Sequence, residues 1–428
     1  MRDRAAGEDR AQSSGWPVVK KRYVTLTLLL SLAIITFLDR ISISVAAPRI
    51  QDELNIPADK FGWILGAFVL AYGLFEIPTG AMGDRLGQRS VLTRIVLWWS
   101  GFTALTGAAT GFWPLLGIRF LFGAGEAGAY PNASGVVARW FPFREHARTQ
   151  GFIWAASRFG GALSPLLVVP LQRAVGWRAA FFILAAVGAV WALIWRLWFH
   201  DDPRDQPGIT TAELAELPPP IPVRPHTIPW GKLFGNPQMR LIMAMYWCYA
   251  WGSWFFFAWF PTYLVKSAHF SETEMGFVAA LPYLMGTVGN LIGGALSDRL
   301  VVRFGKRQGR VYPAAISLAA SAALLVGMTQ THDKLAIVVL SSLGFGVADL
   351  MLPMAWAVCL DIGHKNAGLV TGAMNTAGQL GGFVCSVAFG YIVTATGSYS
   401  IPVWLVAAMV LTAALLFTKI DPTQPVEL

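Results

Sequence analysis

Asp39 and Arg40 close the apolar run Val24–Leu38, and Arg119 and Glu126 interrupt the run Phe112–Val137. An ionisable group at membrane depth costs from a few to more than ~10 kcal/mol, so it persists only when paired or when it lines a wet cavity. Both signs of charge occur here, and each suits a different task. A guanidinium is a planar fork that donates two parallel hydrogen bonds to a carboxylate and stays charged when desolvated. A buried carboxyl group can carry a proton, and a neighbouring arginine changes how readily it does so. The combination points to a site that handles an anion and a proton.

The elements that must hold these residues are apolar helices. The chain has 428 residues, 55% hydrophobic and 13% charged, which excludes a disordered or ordinary soluble protein and points to the membrane class. A span needs about 20 mostly apolar residues, and twelve stretches qualify: 23–47, 60–82, 91–110, 112–138, 147–171, 178–199, 239–265, 274–297, 311–329, 334–358, 366–394 and 399–418. The fold class expected is an all-α membrane protein of two six-helix bundles, 23–199 and 237–420. Tails at 1–22 and 421–428 and a linker at 200–236, with the extended run Pro218-Pro219-Pro220-Ile221-Pro222, complete the chain. At 1.5 Å per residue, Arg40 and Arg119 lie at similar depth, roughly 11 Å from one face, with Glu126 two turns beyond Arg119. Arg158, entering from the other face, arrives near mid-membrane. Asp349 is also buried by position, with no motif to assign it a role.

The formal charge of +9 is carried by loops, so nucleic-acid binding is not expected. Lys20, Lys21 and Arg22, then Arg85 and Arg89, Arg139, Arg144 and Arg148, and Arg299 to Arg310 all fall on one side. By the positive-inside rule both termini are cytoplasmic, in a bacterial-type inner membrane. Cys248, Cys359 and Cys385 have no metal-ligand spacing, so neither metal nor disulfide is expected. No nucleophile–base–orienter spacing or phosphate loop appears, so no catalytic residue and no enzyme is expected. An internal repeat supports the two-bundle division: Gly80-Ala81-Met82-Gly83-Asp84-Arg85 after the second span and Gly294-Ala295-Leu296-Ser297-Asp298-Arg299 after the eighth. An aspartate at a helix C-terminus calls for a basic partner. Asp84, Arg85, Arg89, Asp298 and Arg299 are therefore expected to latch a gate, as are Asp361, His364 and Lys365 at a later turn.

The loop Gly83-Asp84-Arg85-Leu86-Gly87-Gln88-Arg89, with its degenerate second copy, resembles the cytoplasmic loop motif of the major facilitator superfamily. Phe37-Leu38-Asp39-Arg40, Tyr72-Gly73-Leu74-Phe75-Glu76-Ile77-Pro78 and Arg119–Asn132 resemble the anion:cation symporter family within it. The resemblance spans about residues 20–420 and implies alternating access around a mid-membrane site between two bundles. It implies Arg40 and Arg119 as ligands of a substrate carboxylate and Asp39 and Glu126 as proton-coupling residues. Fixed ion pairs, Asp39–Arg119 or Arg40–Glu126, are the alternative. Tyr72, Ser157 and Asn375 match substrate-contacting positions, and Arg158 is either a second anion contact or an interface residue. Tyr249 stands where glutamate-carrying relatives have an arginine, which argues against a glutamate-like dianion. The aromatic run Tyr246–Phe257 is expected to face lipid over much of its surface, with one face open to a substrate ring.

The function expected is proton-coupled symport of a small carboxylated metabolite, a sugar acid of the hexonate, hexarate or hexuronate type. A monomer in the lipid bilayer, with no cofactor besides the coupling proton, would suffice. An aromatic carboxylate is the alternative substrate, and a transport-dead nutrient sensor the alternative class.

Overall fold

The computed structural model describes residues 20–142, 145–217, 230–363 and 367–425, and among them there is no strand. Before residue 200 the helices are α1 Lys21–Leu54, α2 Ala58–Leu86, α3 Gln88–Ala108, α4 Phe112–Glu126, α5 Ala129–Trp140 and α6 His146–Trp198. A short α7, Thr211–Glu216, follows, then α8 Trp230–Gly235 and α9 Pro237–Trp254. Next come a π turn at Phe255–Trp259, α10 Phe260–Lys266, α11 Glu272–Val278, α12 Leu281–Phe304 and α13 Tyr312–Thr329. α14 Lys334–Asp349, α15 Met351–Gly363, α16 Ala367–Thr396 and α17 Ser400–Phe417 complete the chain.

Nine helical segments among the described residues are long and apolar enough to cross a membrane. One of them, Arg148–Trp198, contains the two spans expected at 147–171 and 178–199, with a break at Gly176 (φ 81°), a conformation glycine adopts without a side-chain clash. The stretches 91–110 and 112–138 do not qualify by length and composition. Arg89 and Arg94 dilute α3, and the chain breaks after Glu126, leaving α4 and α5 with 15 and 12 residues. Leu193, Leu197, Leu291, Ile316, Leu335 and Leu415 are exposed on the helices, as a lipid-facing surface requires.

In the first half α6 packs on α1 and α3, and α2 on α4; in the second, α9 packs on α16 and α17, and α12 on α14. The halves meet where α2 faces α16, α6 faces α11 and α12, and α1 faces α10. Gly123 sets the α2–α4 distance: a Cβ there would lie 2.3 Å from the Phe68 carbonyl oxygen, so any larger residue would push Arg119 and Glu126 outward. Pro261 has no N–H for the carbonyl of Phe257, and the ladder widens to the π turn just before it. The aromatic run is buried between α16, α17 and the first half, not lipid-facing as expected: Tyr249, Trp251, Trp254, Phe255, Phe256 and Phe257 are all buried.

The interval 200–236 is not wholly extended. Glu213 on α7 accepts from the backbone N–H groups of Lys21 (3.0 Å) and Arg22 (2.9 Å), which the start of α1 leaves without intrahelical partners. Glu216 pairs with Lys20 (2.5 Å) and Arg22 (2.6 Å), and these bonds hold its carboxyl down to about 2. The proline run at 218–222, both terminal tails up to residue 19 and from 426, Arg144, His364, Lys365 and the side chain of Asp84 lie outside the described residues.

Candidate functional site

The charges that open the sequence reading converge. Arg40 donates through Nε and Nη2 to one oxygen of Glu126, the Nε bond being 2.9 Å, so the Arg40–Glu126 ion pair forms. The Arg40 guanidinium also lies 4.8 Å from the ring centres of Phe37 and Tyr72 and 5.3 Å from that of Phe68. Such cation–π contacts offset desolvation by about 0.5–2 kcal/mol each. Arg119 is 2% exposed and has no hydrogen bond or ion pair among the described residues; it rests on Phe68 (5.0 Å) and Phe122 (4.4 Å). Both Asp39 oxygens are buried without a hydrogen bond, with Glu126, Arg119 and the Trp99 indole as neighbours. The Asp39–Arg119 contact pair does not form.

Arg40, Arg119, Ser44 and Phe68 from the first half and Trp254 and Phe257 from the second line one cavity of about 10 Å³. That is room for about one water. The halves have closed down on the arginines, and anything larger than a water enters only when they part.

Other expected site residues fall elsewhere. The Tyr72 ring lies under Arg40 as a cation–π partner. Ser157 donates to the Ile153 carbonyl (2.9 Å) and shares a 2.7 Å hydrogen bond with the Tyr130 hydroxyl, so it braces Tyr130 from behind. Tyr249 does not line the cavity: its hydroxyl donates to Asp349 (3.0 Å). Asn375 gives its amide N–H groups to both oxygens of Glu76 at 3.0 Å, an inter-half contact that occupies the donor read as a hydroxyl ligand. Arg158 ion-pairs with Asp349 (3.0 Å), a residue with no role legible in the sequence. Charge balance was the available signal, because a mid-membrane arginine on one half needs an acid.

Of the expected latch residues, Arg89 and Asp361 have described partners. Arg89 donates to the Arg196 carbonyl (2.7 and 3.0 Å), and its backbone N–H donates to Asp201 (2.9 Å). Asp361 pairs with Lys306 (3.0 Å) and Arg310 (2.6 Å). Arg85, Asp298 and Arg299 make no ion pair among the described residues. The opposite end is clasped instead. Arg49 grips both oxygens of Glu272 at 2.6 Å and the Gln172 carbonyl at 3.0 Å, Lys266 pairs with Asp52 (2.6 Å), and Trp63 donates to the Tyr391 hydroxyl (3.1 Å). That face is shut, and deeper between the halves Asn375 meets Glu76 and Trp154 meets Trp356 edge-on at 5.8 Å.

Paired helical halves with buried charges and an occluded cavity between them define a polytopic membrane transporter. The chain belongs to the Major Facilitator Superfamily, whose family description matches residues 29–386. It is 34% identical over 414 residues to a probable sulfoacetate transporter of Cupriavidus necator, covering 96% of each chain. It is 30% identical to a D-galactonate transporter of Escherichia coli O6:H1 (88% of this chain, 90% of the relative). A probable galactarate/D-glucarate transporter of Bacillus subtilis is 29% identical (92% and 90%). Among solved structures, an inward-facing, occupied bacterial homologue of the human lysosomal transporter Spinster aligns with TM-score 0.78 at 18% identity, over 94% of this chain and 97% of that one. That likeness supports the fold.

Proposed function

We propose that the protein is a proton-coupled symporter of a small organic anion, a sugar acid of the hexonate, hexarate or hexuronate type. It would work by alternating access between bundles 23–199 and 237–420, with twelve spans, in a bacterial-type inner membrane, both termini cytoplasmic and the monomer sufficient. The observation that carries this reading is Arg119: a guanidinium buried in an apolar protein without an anionic contact, at a cavity walled by both halves. Such a charge is costly unless an anion periodically completes it.

Asp39 and Glu126 are the proton carriers in this reading. Asp39 has neither oxygen hydrogen-bonded, and Glu126 holds Arg40 in the anion's absence. The relatives named for galactonate, galactarate and glucarate support the substrate class. The clasp at Arg49–Glu272 supports a state closed on that face. A tenfold proton gradient supplies about 1.4 kcal/mol per proton, and each net charge moved gains about 2.3 kcal/mol per 100 mV. Uptake of labelled hexonates and hexarates into proteoliposomes under an imposed pH gradient tests this. Accumulation that collapses with a protonophore is expected; gradient-independent uptake, or none, would contradict it.

A second reading has its own observation. Three aromatic rings, Phe68, Trp254 and Phe257, line the cavity, which favours an aromatic carboxylate. The same assay with benzoate-type acids distinguishes the two.

A further inference from the structure

Arg158 lies on α6 of the first half, and everything that holds it comes from the second. Its Nη2 donates to Asp349, at 3.0 Å from one oxygen and 3.3 Å from the other, and its guanidinium lies 5.4 Å from the ring centres of both Phe257 and Phe345. Asp349 is fully buried and accepts two further hydrogen bonds, from the Tyr249 hydroxyl (3.0 Å) and the Asn290 amide (3.1 Å). Three donors saturate the carboxylate and fix it. Arg158 is not saturated: among the described residues only Nη2 is hydrogen-bonded, leaving the Nε and Nη1 donors without an acceptor.

This third cation lies behind the wall of the cavity that the first two line. Phe257 lines the Arg40–Arg119 cavity on one side and lies beneath Arg158 on the other. Phe37, in contact with Arg40, meets Phe257 edge-on at 6.1 Å. Tyr130 has both Arg40 and Arg158 among its charged neighbours. One aromatic layer therefore separates two cationic poles.

We propose that Arg158, positioned by Asp349, is a second anion-binding group of the central site, so that the transported anion carries two negatively charged ends, as in an aldarate or a short sulfocarboxylate. The inference rests on the anion-transport reading above and narrows it. Asp349 offsets the cost of burying Arg158 while occupying one nitrogen only, whereas Glu126 takes both Nε and Nη2 of Arg40. The arginine missing at position 249 is supplied in space from α6, and Tyr249 serves to hold Asp349. Under this proposal Tyr249 no longer argues against a dianion.

Matched pairs test the proposal by calorimetry on the purified full chain: a hexarate against the hexonate of the same stereochemistry, and sulfoacetate against acetate. The wild type should prefer the two-ended member of at least one pair by roughly thirty-fold or more, the lower range for a buried charge pair. The double variant Arg158→Gln/Asp349→Asn removes both charges together and leaves neither buried alone, so it should melt close to the wild type. It should lose the preference, weakening the two-ended acid by roughly thirty-fold more than the one-ended acid. Asp349→Asn alone keeps the cation but loosens it, and should reduce the preference several-fold. A wild type without preference, or a double variant that weakens both members equally, would overturn the proposal while leaving anion transport intact. Failure of every acid to bind would remove the transport reading itself.

Discussion

Arg119 and Glu126 divide the work at the scale of single residues. Among the described residues Arg119 has no protein acceptor, and in the proposed mechanism its fork receives the substrate carboxylate. Arg119→Ala should weaken substrate binding by about 2–5 kcal/mol, the cost of truncating one partner of a buried charge pair. Arg119→Lys should fail nearly as badly, because a point charge does not reproduce two parallel hydrogen bonds. Calorimetry showing normal affinity for the lysine variant would return Arg119 to a packing role. Glu126→Gln should separate exchange from net uptake: a neutral amide mimics the protonated acid, so counterflow in proteoliposomes persists while pH-driven accumulation disappears. Intact accumulation would move the coupling proton to Asp39 or Glu76.

At the scale of elements, the start of α1 depends on α7, two hundred residues further along the chain. Glu213→Ala should cost about 0.5–2 kcal/mol, as loss of a helix cap does, read as a lower melting temperature and faster amide exchange at residues 21–24. The neighbouring Glu216 carries a pH dependence. Its folded value is lowered to about 2 from 4.5 by Lys20 and Arg22, so its contribution is complete above about 4.5 and is lost as pH falls toward 2. Protection of the first turn of α1 should decline over that window; protection that declines only above pH 5 would assign the tether to another group. Much of this level was legible in the sequence, because spans are long and apolar and their periodicity needs no partner. The repeat after α2 and α12 marked the two-bundle plan, and the helix-4 string placed Arg119 and Glu126 on one face. What was not legible depended on long-range partners. Asp349 acquires its role only from α6 across the interface, Asn375 is occupied by Glu76, and the Arg49–Glu272 clasp joins the end of α1 to the first residue of α11.

At the scale of the whole molecule, alternating access is a two-state equilibrium biased by the contacts each state makes. The clasp at Arg49, Gln172 and Glu272 belongs to the state seen here. Exposed ion pairs contribute only about 0–1 kcal/mol each, yet 1.4 kcal/mol shifts a population tenfold. Arg49→Ala should therefore expose the cavity more often from the clasped face. Labelling of Ser44→Cys in this background by a membrane-impermeant thiol reagent should quicken severalfold, since the native cysteines are buried. An unchanged labelling rate would mean the apolar contacts alone keep that face shut.

The central claim is that proton and anion binding support each other at one site. Asp39 neighbours Arg119; in the proposed mechanism its ionised form competes with the substrate for that arginine, and a proton removes the competitor. Linkage then requires affinity to strengthen as pH falls. The most direct test is the calorimetric affinity of the wild type and Asp39→Asn for a substrate that stays ionised, measured between about pH 8 and pH 5, the range open to a buried acid. The wild type should tighten steadily toward low pH, and the variant should bind with little pH dependence. A flat wild-type profile across that range would contradict the mechanism.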